Sequence, residues 1–106
     1  MLLGETDHDL GASVYVAAIH GRIAGRPRID LAREVAVQGL VRDLIGEGIL
    51  RSAHDCSDGG LAVAVAESAF RSGIGADCPD LPSGLPAHVA LFAETQSRIV
   101  VTAATS

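Results

Sequence analysis

The chain has no lysine and no tryptophan among its 106 residues, and only one tyrosine and two phenylalanines. Without lysine, arginine carries every fixed positive charge on the side chains. Its eight residues are scattered through a chain of formal net charge −5. Duplex nucleic acid is excluded as a partner, because phosphate neutralisation needs clustered cations. With 3% aromatic residues, a core has to be built from Ala, Val, Leu and Ile. Cysteine is sparse too: Cys56 and Cys78 stand alone, without a CxxC or HxxxH pair to suggest zinc. No basic segment followed by an apolar one opens the chain, and no apolar run reaches membrane-spanning length. Reduced thiols and a cytoplasmic location are the expectation. Walker-type loops, dinucleotide fingerprints and nucleophile elbows are also missing.

The composition that remains is globular: 48% apolar, 20% charged, with a mean hydropathy of +0.33. At this length it makes one domain at most. Val14–Ile19 can be helix or strand. Asp30 is placed to cap a helix whose apolar positions Leu31, Val35, Val37, Leu40, Val41, Leu44 and Ile45 recur at three- and four-residue spacing. That helix is predicted to end near Gly46 or Gly48. A short strand follows over 49–53, then a polar loop, His54–Gly60. Leu61–Phe70 reads as a second helix, apolar almost all round and therefore largely buried, stopped by Gly73 and Gly75. Ile74–Cys78 is a candidate strand. Pro79–Pro86, with three prolines and a glycine, is a loop. Val89–Phe92 and Arg98–Ala103 read as strands. This order gives an α/β (or α+β) fold, with a mixed sheet, helices on one face, and a sheet cut short at its C-terminal end. A last strand left bare there would be an edge through which two copies could pair.

Two stretches carry candidate chemistry. In Ser52–Leu61 (SAHDCSDGGL), a strand runs into the N-terminus of the second helix. Paired glycines let a ligand approach the backbone, and free N–H groups at a helix start suit an anion. Asp55 and Asp58 would repel a bare phosphate but suit one arriving with magnesium, since hard cations prefer carboxylate oxygens. The same residues admit a plainer role: Ser57 or Asp58 as helix caps, Gly59 and Gly60 as close-packing positions, His54 as a satisfied loop histidine. The second stretch, Glu94-Thr95-Gln96-Ser97-Arg98, clusters donors and acceptors that can grip a polar small molecule or simply build a turn. Gly4-Glu5-Thr6 and Leu10-Gly11-Ala12-Ser13 make a third polar region.

Taken together, these segments resemble a known family. Ser52–Ser68 is similar to the signature helix of the phosphoribosylformylglycinamidine synthases, and Leu91–Val101 resembles their FSESQSR strand-turn-strand. Leu3–Thr6 with Leu10–Tyr15 resembles their domain entry, and Pro27–Leu31 the approach to a long helix. The four blocks keep their order along the whole chain. The resemblance implies a single partial domain over 1–106, of the C-terminal type shared with aminoimidazole ribonucleotide synthase, from the second of two pseudo-symmetric halves. It implies an ATP-dependent ligase of purine biosynthesis that converts formylglycinamide ribonucleotide to formylglycinamidine ribonucleotide with ammonia from glutamine. The implied cofactors are Mg2+ and ATP. The implied partners are the ATP-binding half of the same synthase and a glutaminase subunit or domain. By position, Asp55 is the implied metal ligand, and Ser57, Gly59, Gly60, Glu94, Thr95 and Gln96 the phosphate- and substrate-binding residues. Thr95 departs from the family's usual serine but keeps the hydroxyl. No catalytic residue is implied in this chain, and the site can be the structural nucleotide site rather than the catalytic one. Alternatives are another member, such as aminoimidazole ribonucleotide synthase or selenophosphate synthetase, and a non-catalytic module of the same fold.

Overall fold

The structure, a computed structural model, describes residues 1–82 and 84–105. Its elements in chain order are β1 (Leu2–Leu3), α1 (Val14–His20), α2 (Leu31–Gly46), β2 (Leu50–Asp55), α3 (Gly60–Ser72), α4 (Ala87–Phe92) and β3 (Ile99–Ala103). The three strands form one sheet in the order β1-β3-β2, and both pairings are antiparallel. Val100 pairs with Leu2 on one side and His54 on the other.

Local chemistry explains the helix ends. Ser13 caps α1, its Oγ accepting from the Val16 N–H at 3.2 Å, and Gly21 ends that helix in the left-handed conformation. Asp30 caps α2 as the sequence predicts, with Oδ1 accepting from Ala32 and Arg33. At its other end the Ile49 N–H reaches the Leu44 carbonyl and the Gly48 N–H reaches Ile45. This closure needs a left-handed residue, and Gly48 supplies it with φ 72°. The stop predicted near Gly46 or Gly48 is borne out, as is the one at Gly73.

The core is small and aliphatic. Cys56, Ala64 and Val100 are buried together, with Leu2, Leu61 and Val65 packed against them. Val100 thus faces α3, while Val101, the next residue along the strand, is buried completely. Successive strand residues point to opposite faces, so both faces of the sheet are covered at β3. The Tyr15 ring stacks on Phe92 with centroids 5.4 Å apart, tying α1 to α4.

Several expectations need correction. Val89–Phe92 lies in a helix, α4, and not in a strand: Ala90 and Ala93 each donate to a carbonyl four residues back, at Pro86 and Val89. Ile74–Cys78 forms no strand. Of the loop expected over 79–86, the described residues are irregular, and Ser83 lies outside them. α3 is only partly covered: Gly60 and Ala64 are buried, while Phe70 is 83% exposed. α2 buries only Val41, leaving Leu31 and Val35 each 70% exposed. The apolar residues of α2 lie all round the helix rather than in one stripe, so no single face is set for burial. The last strand is not an edge either. β3 is the central strand, and the open edges belong to β2 and the two-residue β1. Pairing of two copies through the C-terminal strand is therefore ruled out in this sheet.

Candidate functional site

The two stretches singled out in the sequence meet in space. β2 delivers Asp55 opposite Ile99, and the next residue, Cys56, donates its N–H to the Arg98 carbonyl at 3.1 Å. The start of α3 then rests on the end of α4. Gly60 is buried with φ 76°, and a Cβ there would lie 2.6 Å from the Ala93 carbonyl oxygen. Gly59 also holds a positive φ, 90°, and is the N-cap residue without any side-chain cap. The plainer role of Ser57 or Asp58 as caps is not what the structure uses: both are exposed, and the first amides of α3 are left without a side-chain acceptor. Gly60 does serve close packing. His54 is satisfied, its Nε2 lying 2.9 Å from Glu67 Oε2 and its Nδ1 2.7 Å from the Asp55 carbonyl.

The Glu94–Arg98 turn is organised from inside by Arg98. This guanidinium is only 3% exposed. Its Nε donates to the Thr95 carbonyl at 2.9 Å, Nη2 to the Ala93 carbonyl at 2.6 Å, and Nη1 to Thr6 Oγ1 at 3.0 Å. Burial pushes its pKa down, opposed by the nearby Cys56, Asp9 and Glu94. The same burial pushes the Cys56 thiol up, an effect that Arg98 opposes.

Each turn residue has a distinct task. Thr95 is buried, accepting from the Asp7 N–H at 2.9 Å and donating to the Asp7 carbonyl at 3.2 Å. Its hydroxyl is thus committed to the backbone, a role that any hydroxyl side chain at this position could fill. Glu94 takes the Val14 N–H on Oε2 at 2.8 Å, and its own N–H donates to the Asp9 carbonyl. Gln96 is exposed, with Nε2 on the Glu94 carbonyl at 3.3 Å. Ser97, at φ 61°, donates to Glu34 Oε2 at 2.5 Å, linking the turn to α2. That donor, with Gln38, holds the Glu34 carboxyl below its usual range.

Sequence reasoning missed Arg98 as the keystone, and missed Asp7 and Asp9, which carry the backbone contacts to Thr95 and Glu94. The available signal for Arg98 was an arginine set directly before an apolar strand. Arg28 straps the Asp7–Asp9 segment from outside, with Nε and Nη2 on Asp9 Oδ1 at 3.1 and 3.0 Å and a longer contact of 3.4 Å to Asp7.

Asp55, Ser57 and Gln96 are exposed, while Gly59, Gly60 and Thr95 are buried. Two hollows on the molecule, of about 690 and 560 Å3, are lined elsewhere, the first by residues including Arg51, His54, Arg71 and Cys78, the second by Gly4–Thr6 and Asp80–Pro82. Neither is lined by Asp55, Ser57 or residues 94–96. No group of three His, Cys, Asp or Glu side chains that could hold a metal occurs among the described residues. Mg2+ takes six oxygen ligands, and water and phosphate oxygens ordinarily fill most of them around one or two carboxylates. On their own, these residues bring one exposed carboxylate and no enclosed hollow for a nucleotide. They form one wall, with a helix start and a turn side by side.

No helix among the described residues is long and apolar enough to cross a membrane. Residues 1–106 match the family described as AIR synthase related protein, C-terminal domain. The chain is 50% identical over 105 residues to the phosphoribosylformylglycinamidine synthase subunit PurL of Moorella thermoacetica, covering 98% of this chain and 14% of that protein. It is 52% identical over 93 residues to the protein of the same name from Synechococcus sp. (strain JA-3-3Ab), covering 87% and 12%. With that of Beijerinckia indica it shares 48% over 105 residues, covering 98% and 14%. The chain thus spans about one seventh of the length of these relatives. With a match over every residue and both singled-out stretches joined in one wall, the chain belongs to the family described as AIR synthase related protein, C-terminal domain.

Proposed function

We propose that this domain serves a phosphoribosylformylglycinamidine synthase, as one wall of a nucleotide- and substrate-facing cleft that other parts of the enzyme complete. The observation that carries the proposal is the junction of the two most family-like stretches: the Cys56 amide on the Arg98 carbonyl, and Gly60 against the Ala93 carbonyl. In this wall Ser57, Gly59 and Gly60 present the uncapped start of α3 to a phosphate, which suits the positive end of a helix. Glu94 and Gln96 border it, Thr95 holds their turn in place, and Asp55 offers one carboxylate to a magnesium ion whose other ligands come from elsewhere. The whole enzyme would be a cytoplasmic carbon–nitrogen ligase using ATP and glutamine-derived ammonia. Its partners would be the ATP-binding half and a glutaminase. The chain by itself would not turn over.

A chimera tests this. The matching segment of the Moorella thermoacetica protein, 50% identical here, is replaced by this chain. The proposal expects formylglycinamide ribonucleotide-dependent ADP release from the chimera with its partners, and none from the isolated chain. A folded chimera without activity, or turnover by the chain alone, would sink it.

The family resemblance carries a second possibility, a non-catalytic nucleotide site. Substitution Asp55→Ala in the chimera separates the two. Lost nucleotide binding with turnover retained points to the non-catalytic site, and lost turnover to the catalytic one.

A further inference from the structure

The loop between α1 and α2 lies against the segment that leads into α1. The Ala12 N–H donates to the Ala24 carbonyl, and the two segments cross at Gly11 and Gly25. A Cβ at Gly25 would lie 2.5 Å from the Gly11 Cα, so the crossing needs glycine. Pro27, with its ring-fixed φ, stiffens the loop just before Arg28. Arg28 reaches back from there to Asp9, with Nε and Nη2 sharing Oδ1 at 3.1 and 3.0 Å. The Arg28 side chain is 66% exposed, that of Asp9 only 11%.

On its other side Asp9 meets the Glu94–Arg98 turn. Its carbonyl accepts from the Glu94 N–H at 2.8 Å, and its own N–H donates to the Asp7 carbonyl. Asp7 is in turn bonded twice by the Thr95 hydroxyl. The carboxylate and the carbonyl of Asp9 hang from one Cα. Whatever fixes the first therefore also fixes the direction in which the second meets Glu94. The Glu94 side chain closes the circuit on the Val14 N–H. None of these groups belongs to the core around Cys56, Ala64 and Val100. An ion pair with one exposed partner adds little to global stability. A small displacement of a binding group costs far more. Loss of the Arg28 contact would therefore loosen the turn without unfolding the chain.

We propose that Arg28 is a positioning residue for the Glu94-Thr95-Gln96 turn, acting through Asp9. The consequence for substrate rests on the cleft proposed above; the consequence for the turn does not.

Amide hydrogen exchange on the full chain reads the turn. In Arg28→Gln, exchange at Asp7, Val14 and Glu94 is expected to rise about three- to tenfold, with Cys56 and Val101 unchanged. No change at Glu94, or an equal rise at Cys56, overturns the proposal. Steady-state kinetics on the chimera read the substrate. Arg28→Gln is expected to raise KM for formylglycinamide ribonucleotide about three- to tenfold while kcat holds, and Arg28→Lys, which keeps the charge, to recover part of the loss. In an Asp9→Asn background Arg28→Gln should add little, because both changes weaken the same contact. An undiminished effect in that background means that the arginine acts on substrate directly, and overturns the route through Asp9. An unchanged KM in an active chimera overturns the role in substrate binding. A chimera inactive before any substitution counts against the enzyme reading alone, and the exchange rates then decide whether Arg28 positions the turn.

Discussion

At the scale of single residues, Arg98 does more than its place in the sequence suggests. A buried cation is costly unless its donors find partners, and here each guanidinium nitrogen has one: two backbone carbonyls and the Thr6 hydroxyl. The reverse also holds: Ala93 and Thr95 depend on Arg98, and Gly60 rests on the same Ala93 carbonyl. Replacing Arg98 with leucine leaves two carbonyls without their donor. The expected loss is about 2–4 kcal/mol in urea unfolding, the range for stranding buried polar groups. A change below about 0.5 kcal/mol, the usual size of a surface effect, would show that Arg98 is not the keystone. Asp55, Ser57 and Glu94 were legible as candidates because their residue types carry recognisable chemistry. Arg98 was not, because its role depends on carbonyls whose directions only the folded turn sets.

At the scale of elements, helix ends were the most legible features, since a cap acts within a few residues. Asp30 accepts from two amides of α2, and this bonding needs nothing from the rest of the chain. Asp30→Ala should therefore cost about 1 kcal/mol in the urea midpoint, and Asp30→Ser much less. If both substitutions behave alike, the cap is not what stabilises α2. Strand and helix were confused at Val89–Phe92 because four apolar residues satisfy either period. What decides for helix is the carbonyl of Pro86 at its start, which receives the amides of Val89 and Ala90, and the stacking of Phe92 on Tyr15. The apolar stripe expected on α2 is not there: its apolar residues are spread round the helix, and only Val41 is buried.

At the scale of the whole molecule, the Ser97–Glu34 contact joins the site turn to α2, sixty-three residues away in sequence. Its contribution should depend on pH. The hydroxyl of Ser97, and secondarily Gln38, lowers the carboxyl pKa of Glu34 in the folded state. A depressed folded pKa gives stability that is fully present above the unfolded value, about 4.3 for glutamate. That stability is lost as pH falls through the folded value. Ser97→Ala should therefore unfold at lower urea than the parent chain at neutral pH, and the gap should shrink below about pH 4. An equal gap at both pH values would mean that hydrogen bonding to the charged form is not the cause.

The sequence alone determined the helix boundaries at Asp30, Gly48 and Gly73, the aliphatic character of the core, and the family, because caps, composition and ordered motifs are properties of neighbours along the chain. Tertiary structure alone decided that β3 lies in the centre of the sheet, that Thr95 is committed to the Asp7 backbone, and that Arg98 ties both stretches into one wall. Those outcomes depend on which distant backbone groups meet, and hydrogen-bond partners many residues apart leave no period in a sequence to read.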